Sequence, residues 1–100
     1  TNVKEIDYMF HCAESFNQDI SNWDICNVKN MYYVFYYAIS FNKNISKWDV
    51  SNVKYMYGMF NNAKCFNQDI SNWDINDITN IGNMFYNCSI IEKYKPLKKE

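Results

Sequence analysis

Three sets of side chains in this sequence have the types and spacing that chemistry needs. His11 and Cys12 put an imidazole beside a thiol, the raw material of a nucleophile–base pair. Neighbours on a helix point about 100° apart, however, so adjacency there is a poor arrangement, and His11 is the only histidine. Asp24, Asp49 and Asp74 recur at equal spacing, with Asp19 and Asp69 close by, and columns of carboxylates can hold a cation. Asn44 interrupts the second column, and the simpler expectation is that each carboxylate accepts backbone amides of the turn that follows it. The third set is YYVFYYA at 32–38, a dense run of tyrosine, which is favoured at recognition surfaces. No Gly-rich phosphate loop, Ser-His-Asp set or Cys-x-x-Cys pair is present, so the reading is of a non-enzyme that needs no cofactor or metal.

What positions these residues is a repeat. The decapeptide FNQDISNWDI stands unchanged at 16–25 and 66–75, and FNKNISKWDV at 41–50 is a third copy midway between them. At a period of 25, Val3, Val28, Val53 and Ile78 align, as do Met9, Val34, Met59 and Met84. So do Phe10, Phe35, Phe60 and Phe85, and, in the second half of the unit, Trp23, Trp48 and Trp73. The chain therefore divides into units 1–25, 26–50, 51–75 and 76–91, with a polar tail or cap at 92–100. The aligned Phe and Trp residues are the expected core, because an environment that recurs is solved by the same residues each time.

Within a unit, Val28, Met31, Val34, Phe35, Ala38 and Phe41 recur at steps of three and four, which predicts a helix over about 28–39. Asn27, with Asn2, Asn52 and Asp77 at the same place elsewhere, is its expected N-cap. Asn17, Asn42 and Asn67 are the expected suppliers of left-handed turn geometry after it. Ile45, Trp48 and Val50 then read as a short strand. One short helix and one short strand per 25-residue unit, stacked copy on copy, make an α/β repeat solenoid.

Composition bounds the functions. With 48% hydrophobic and 19% aromatic residues and three Pro and Gly together, the chain is not a linker. A formal net charge of −1, and ten lysines with no arginine, argue against nucleic acid as a partner. No apolar run approaches the about 20 residues of a membrane span. The four cysteines fall at four different phases of the repeat, so no two meet in register, and free thiols favour a reducing compartment. The sequons at Asn44 and Asn87 carry little weight in so Asn-rich a chain.

The string FNQDISNWDI, together with SNVKYMYGMF at 51–60, resembles the bacterial surface-protein repeat of about 26 residues. That repeat occurs in mycoplasma and Listeria lipoproteins and is related to BspA-like leucine-rich repeats. The resemblance covers residues 1–91 and implies a right-handed, leucine-rich-repeat-like coil, displayed at the cell surface or outside the cell. It supplies no catalytic motif. Unpaired cysteines favour an intracellular or virion setting instead.

The expected binding face is formed by Tyr33, Tyr36 and Tyr37, opposite the core stripe, with Tyr32 at its border. Tyr8, Tyr57 and Tyr86 lie at matching phases on other units. The competing reading is that these rings only pack over gaps between units. Asn22, Lys47 and Asn72 mark an alternative face on the strand side. The expected function is a scaffold that binds a protein or a cell-surface ligand. The alternative is a structural component packing against sister chains, with self-association through an uncapped first unit.

Overall fold

Where the backbone N–H groups go decides this fold, and in the first half of each of the first three units alternate ones leave the unit. The structure is a computed structural model that describes residues 4–76 and 79–97. The N–H groups of Met31, Tyr33, Phe35 and Tyr37 donate to the carbonyls of Tyr55, Tyr57, Met59 and Asn61, 24 residues on. Met56, Gly58, Phe60 and Asn62 donate in the same way to Asn80, Gly82, Met84 and Tyr86. Tyr8, Phe10 and Cys12 donate to Tyr32, Val34 and Tyr36. Alternate residues thus hydrogen-bond to the next unit, and the units lie side by side in register.

The remaining N–H groups close local turns. Met59 donates to Met56, Asn61 to Gly58, Ala63 to Phe60 and Phe66 to Ala63, a succession of bonds spanning three residues. Two residues per unit hold positive φ to make this possible: Tyr8 and Cys12, Tyr33 and Tyr37, Gly58 and Asn62, Asn83 and Asn87. Left-handed residues at both places, four apart, cannot belong to a right-handed helix.

The expected α/β solenoid with a right-handed, leucine-rich-repeat-like coil is therefore corrected. The body is compact, with extents of 33 × 31 × 19 Å, and among the described residues it has no α-helix and no sheet. Its regular structure is a 3₁₀ turn at Glu92–Tyr94 and isolated bridges such as the parallel pairs of Tyr55 with Asn30 and with Asn80. The helix over 28–39 is replaced by turns because its amides are spent between units. The strand around Ile45–Val50 does not form either, since Trp48 donates to Ile45 and Ser46 to the side chain of Asn44. The Asn52 side chain donates to the Cys26 carbonyl of the preceding unit instead of capping a helix. Val3, Ile78, Asn2, Asp77 and the end of the tail lie outside the described residues.

The repeat is expressed as columns of like side chains. Phe10, Phe35, Phe60 and Phe85 stack with centroids 5.5, 5.3 and 5.8 Å apart and planes within 9° of parallel. Phe16, Phe41 and Phe66 form a second column beside it, within 4.0–4.3 Å of the first at each level. Trp48 and Trp73 stack at 6.5 Å, and their indole N–H groups donate to the carbonyls of Ile20 and Ile45 in the preceding unit. These contacts place every phenylalanine of the chain in one aromatic array. Offset stacking of this kind adds about 0.5–1.5 kcal/mol per pair beyond area burial.

Asparagine and aspartate hold the second half of each unit. Asn17, Asn42 and Asn67 are not the left-handed residues; each amide oxygen accepts the backbone N–H one unit on, at Asn42, Asn67 and Ile91. Asp19, Asn44 and Asp69 each accept the N–H two residues ahead, as do Asp24 and Asp49. The Asp49 and Asp69 carboxylates also accept from the Ser51 and Ser71 hydroxyls at 2.6 Å. Bonds to those serines hold both carboxyls below the usual 3.8. In Asp19, bonds from Ser21 do the same. Asn44 serves because the turn needs an acceptor oxygen and not a charge. At the far end the tail folds back, Tyr94 accepting from the N–H of Ile70 and Pro96 becoming buried.

Testable outcomes follow from this packing and from the carboxylate turns. Trp48→Ala should cost about 3–5 kcal/mol in urea denaturation. The half-buried Trp23, whose indole meets no acceptor among the described residues, should cost only about 1–2 kcal/mol when replaced by Ala. Gly58→Ala should cost at least about 1–2 kcal/mol, because Gly58 sits at φ +62° and an added Cβ would strike the Tyr33 ring. Carboxylates with lowered folded pKa values give stability that is full above 3.8 and lost as pH falls through the folded value. The melting temperature should accordingly be level from pH 7 to about 5 and fall below about pH 4. An Asp19→Asn, Asp69→Asn variant, copying the Asn44 turn, should lose part of that fall; identical acid profiles would show that these turns contribute nothing.

Candidate functional site

Three of the tyrosines, Tyr8, Tyr33 and Tyr37, stand at positive φ; Tyr8 and Tyr37 are exposed and Tyr33 is half-buried. Their rings, with neighbours from three units, form one connected cluster. Tyr8 stacks on Tyr33 at 5.5 Å, and Tyr33 meets Tyr36 and Tyr57 edge-on at 5.3 and 5.6 Å. Tyr36 meets Tyr37 at 4.7 Å and is itself covered by the His11 ring at 5.1 Å. Gly58 makes room for Tyr33, and Gly82 makes room for Tyr57, since a Cβ at either place would meet the ring above it.

Exposure within the cluster is graded. Tyr8 and Tyr37 are exposed, at 54% and 37%, while Tyr33, Tyr36 and Tyr57 are half-buried beneath them. Loss of water around the Tyr33 hydroxyl, reinforced by the Tyr57 and Tyr8 hydroxyls, pushes its pKa up, so it remains a neutral donor at physiological pH. The Tyr57 hydroxyl accepts from the Asn83 side chain at 3.2 Å. The patch therefore presents flat apolar rings edged by phenol hydroxyls.

The seven expected tyrosines do not all come together. Tyr32 pairs with Tyr55 at 5.3 Å, apart from the cluster. Tyr86 is 60% exposed and makes no ring contact among the described residues. His11 is exposed and its ring lies over Tyr36. Its equivalence in phase to Tyr36 was the signal that the two would stack. His11 Nε2 also lies 4.0 Å from the Cys12 Sγ, so turn geometry brings together two side chains that a helix would have separated. Both are exposed, and the His11 ring is held by its contacts with Tyr36 and Tyr8.

The alternative face on the strand side is polar. Asn72 donates to the Ser46 carbonyl, and Lys47 lines a shallow groove with Asp19, Ser21, Lys43 and Asn44. No buried side-chain polar atom among the described residues lacks a partner. Among those residues, no three His, Cys, Asp or Glu converge as a metal site, and Cys12, Cys26, Cys65 and Cys88 are free thiols. Burial pushes the Cys88 thiol up, which keeps it a small apolar filler beside the Phe66 carbonyl.

No curated protein and no solved structure matches the chain. A family profile described as "Mycoplasma protein of unknown function, DUF285" matches residues 1–96. With nearly its whole length inside that profile, the chain belongs to the DUF285 family of mycoplasma proteins.

Proposed function

We propose that the protein is a non-enzymatic recognition scaffold, which binds a protein partner through the cluster of Tyr8, Tyr33, Tyr36, Tyr37 and Tyr57. One observation carries this reading. Tyr8, Tyr33 and Tyr37 hold left-handed backbone where the third and fourth units place Gly58, Asn62, Asn83 and Asn87. A tyrosine there costs about 1 kcal/mol or more relative to glycine. Local strain kept at a surface, by side chains that build a single aromatic patch, supports a recognition role. Membership of a mycoplasma family, and the sequence's resemblance to surface-protein repeats of mycoplasma and Listeria lipoproteins, support display at the cell surface, where such a patch would meet its partner.

The test separates recognition from packing. In a Tyr8→Asn, Tyr37→Asn variant the exposed rings are replaced by the residue that other units hold at these phases. Its melting temperature should be equal to or above that of the unchanged protein, because backbone strain is relieved. A partner captured from cell extract by the unchanged protein, then purified, should bind the variant at least about tenfold more weakly, the loss of one hot-spot contact. Equal binding by both proteins would sink the recognition reading, and a variant that unfolds would show the tyrosines to be packing residues.

A further inference from the structure

The second halves of the units form a polar groove that runs along the stack. Two hollows, of about 310 and 360 Å³, lie between successive units and meet at Asn44, which lines both. The first is edged by Asp19 and Lys47, the second by Asn67, Gln68 and Asn72. Tyr94, half-buried and held by the bond that its carbonyl accepts from the Ile70 N–H, closes one side of the second.

The amides of this groove are half spent. Asn44 and Asn67 each accept a backbone N–H with Oδ1, at Ser46 and Ile91, and their amide nitrogens have no acceptor among the described residues. Gln68 and Asn72 do the reverse: their amide nitrogens donate to the carbonyls of Asn42 and Ser46, and their oxygens receive no donor among the described residues. Open donors thus stand beside open acceptors, and a hydroxyl, which both donates and accepts, matches such a mixture. The spent half of each amide fixes it in place, so little rotamer freedom is left to lose on binding.

Charge in the groove is offset. The carboxyls of Asp19 and Asp69, held low first by bonds from Ser21 and Ser71, also feel the ammonium charges of Lys43 and Lys93, each 24 residues on. Lys47 stands where the other units hold Asn22 and Asn72, so its charge is not a repeated feature. A neutral ligand suits this balance. Spacing narrows the class further. Units stand 5.3–6.0 Å apart along the phenylalanine columns. An extended peptide repeats its same-side residues every 6.6 Å or so, about 3.3 Å per residue, and drifts out of register. It also needs apolar hollows for its side chains, and no aliphatic residue among those described lines this groove. A pyranose ring with its linking oxygen is about as long as one unit is thick.

We infer that the groove binds an extended, neutral, β-linked hexose chain, one ring to a unit. Asn44 and Asn67 donate to its hydroxyls, Gln68 and Asn72 accept from them, and one ring packs against Tyr94. This inference is independent of the tyrosine reading, because none of Tyr8, Tyr33, Tyr36, Tyr37 and Tyr57 lines the groove.

The experiment is a nuclear magnetic resonance titration of isotope-labelled protein with cellotetraose, β-linked mannotetraose and N-acetylchitotetraose. At millimolar concentration at least one of these should shift the side-chain amide signals of Asn44 and Asn67, and it should bind at least about fivefold tighter than its own dimer, the worth of one further hydrogen bond. An Asn44→Asp variant copies the turns of Asp19 and Asp69, so its melting temperature should match the unchanged protein. It lacks the donors common to both hollows and should bind at least about fivefold more weakly. The Tyr8→Asn, Tyr37→Asn variant should bind the sugar as the unchanged protein does. No shift of the groove amides with any of the three sugars would overturn the inference, and that result comes from the unchanged protein alone. Equal binding by a folded Asn44→Asp variant, or shifts confined to the tyrosine cluster, would overturn it as well.

Discussion

Every other feature of this protein depends on backbone amides reaching across to the neighbouring unit. Alternate residues in 31–37 and 56–62 donate 24 residues forward. With those donors committed, the segment cannot close a helical ladder, and the amides between them close three-residue turns instead. The turns in turn demand left-handed residues four apart. Those residues fix which side chains face the phenylalanine columns and which face water. The aromatic stack is the energetic reward, since units held in register by their backbones bring like rings into contact at each level.

The period was legible because it depends only on recurrence, although Phe10, Trp23 and Phe85 are only half-buried. Phe35, Phe60, Trp48 and Trp73 are buried as the alignment implies. The element type was not legible from the spacing of Met31, Val34, Phe35 and Ala38, since a chain of three-residue turns and a helix both return to the core at steps of three and four. The discriminating signal lay elsewhere. Gly58 with Asn62, and Asn83 with Asn87, stand four apart inside the supposed helices, and glycine and asparagine at such a spacing mark left-handed backbone. In the first two units Tyr8, Cys12, Tyr33 and Tyr37 hid that signal, which is why the sequence read as helical there. Asn17, Asn42 and Asn67 were recognised as important but given the wrong task, because a ladder between units leaves no mark in the local sequence.

The candidate site shows the same division. That tyrosines crowd one region was visible in YYVFYYA; which of them touch was not, because the sequence-based face was drawn on a helix. With turns in its place, Tyr32 turns away to Tyr55, and His11 joins the cluster through Tyr36. The two glycines of the chain both lie under tyrosine rings, so backbone without side chains is as much a part of the patch as the rings are.

The alternation of amides also sets a rule for how such a chain can change in length. Inserting or removing one residue in a donating segment exchanges the amides that cross to the neighbour with those that close turns, and every later bond in that unit is lost. Adding or removing a whole unit leaves each bond with an equivalent partner. The two identical decapeptides at 16–25 and 66–75 are interchangeable joints for such an exchange. Length in this architecture is quantised, and the 25-residue unit is its quantum.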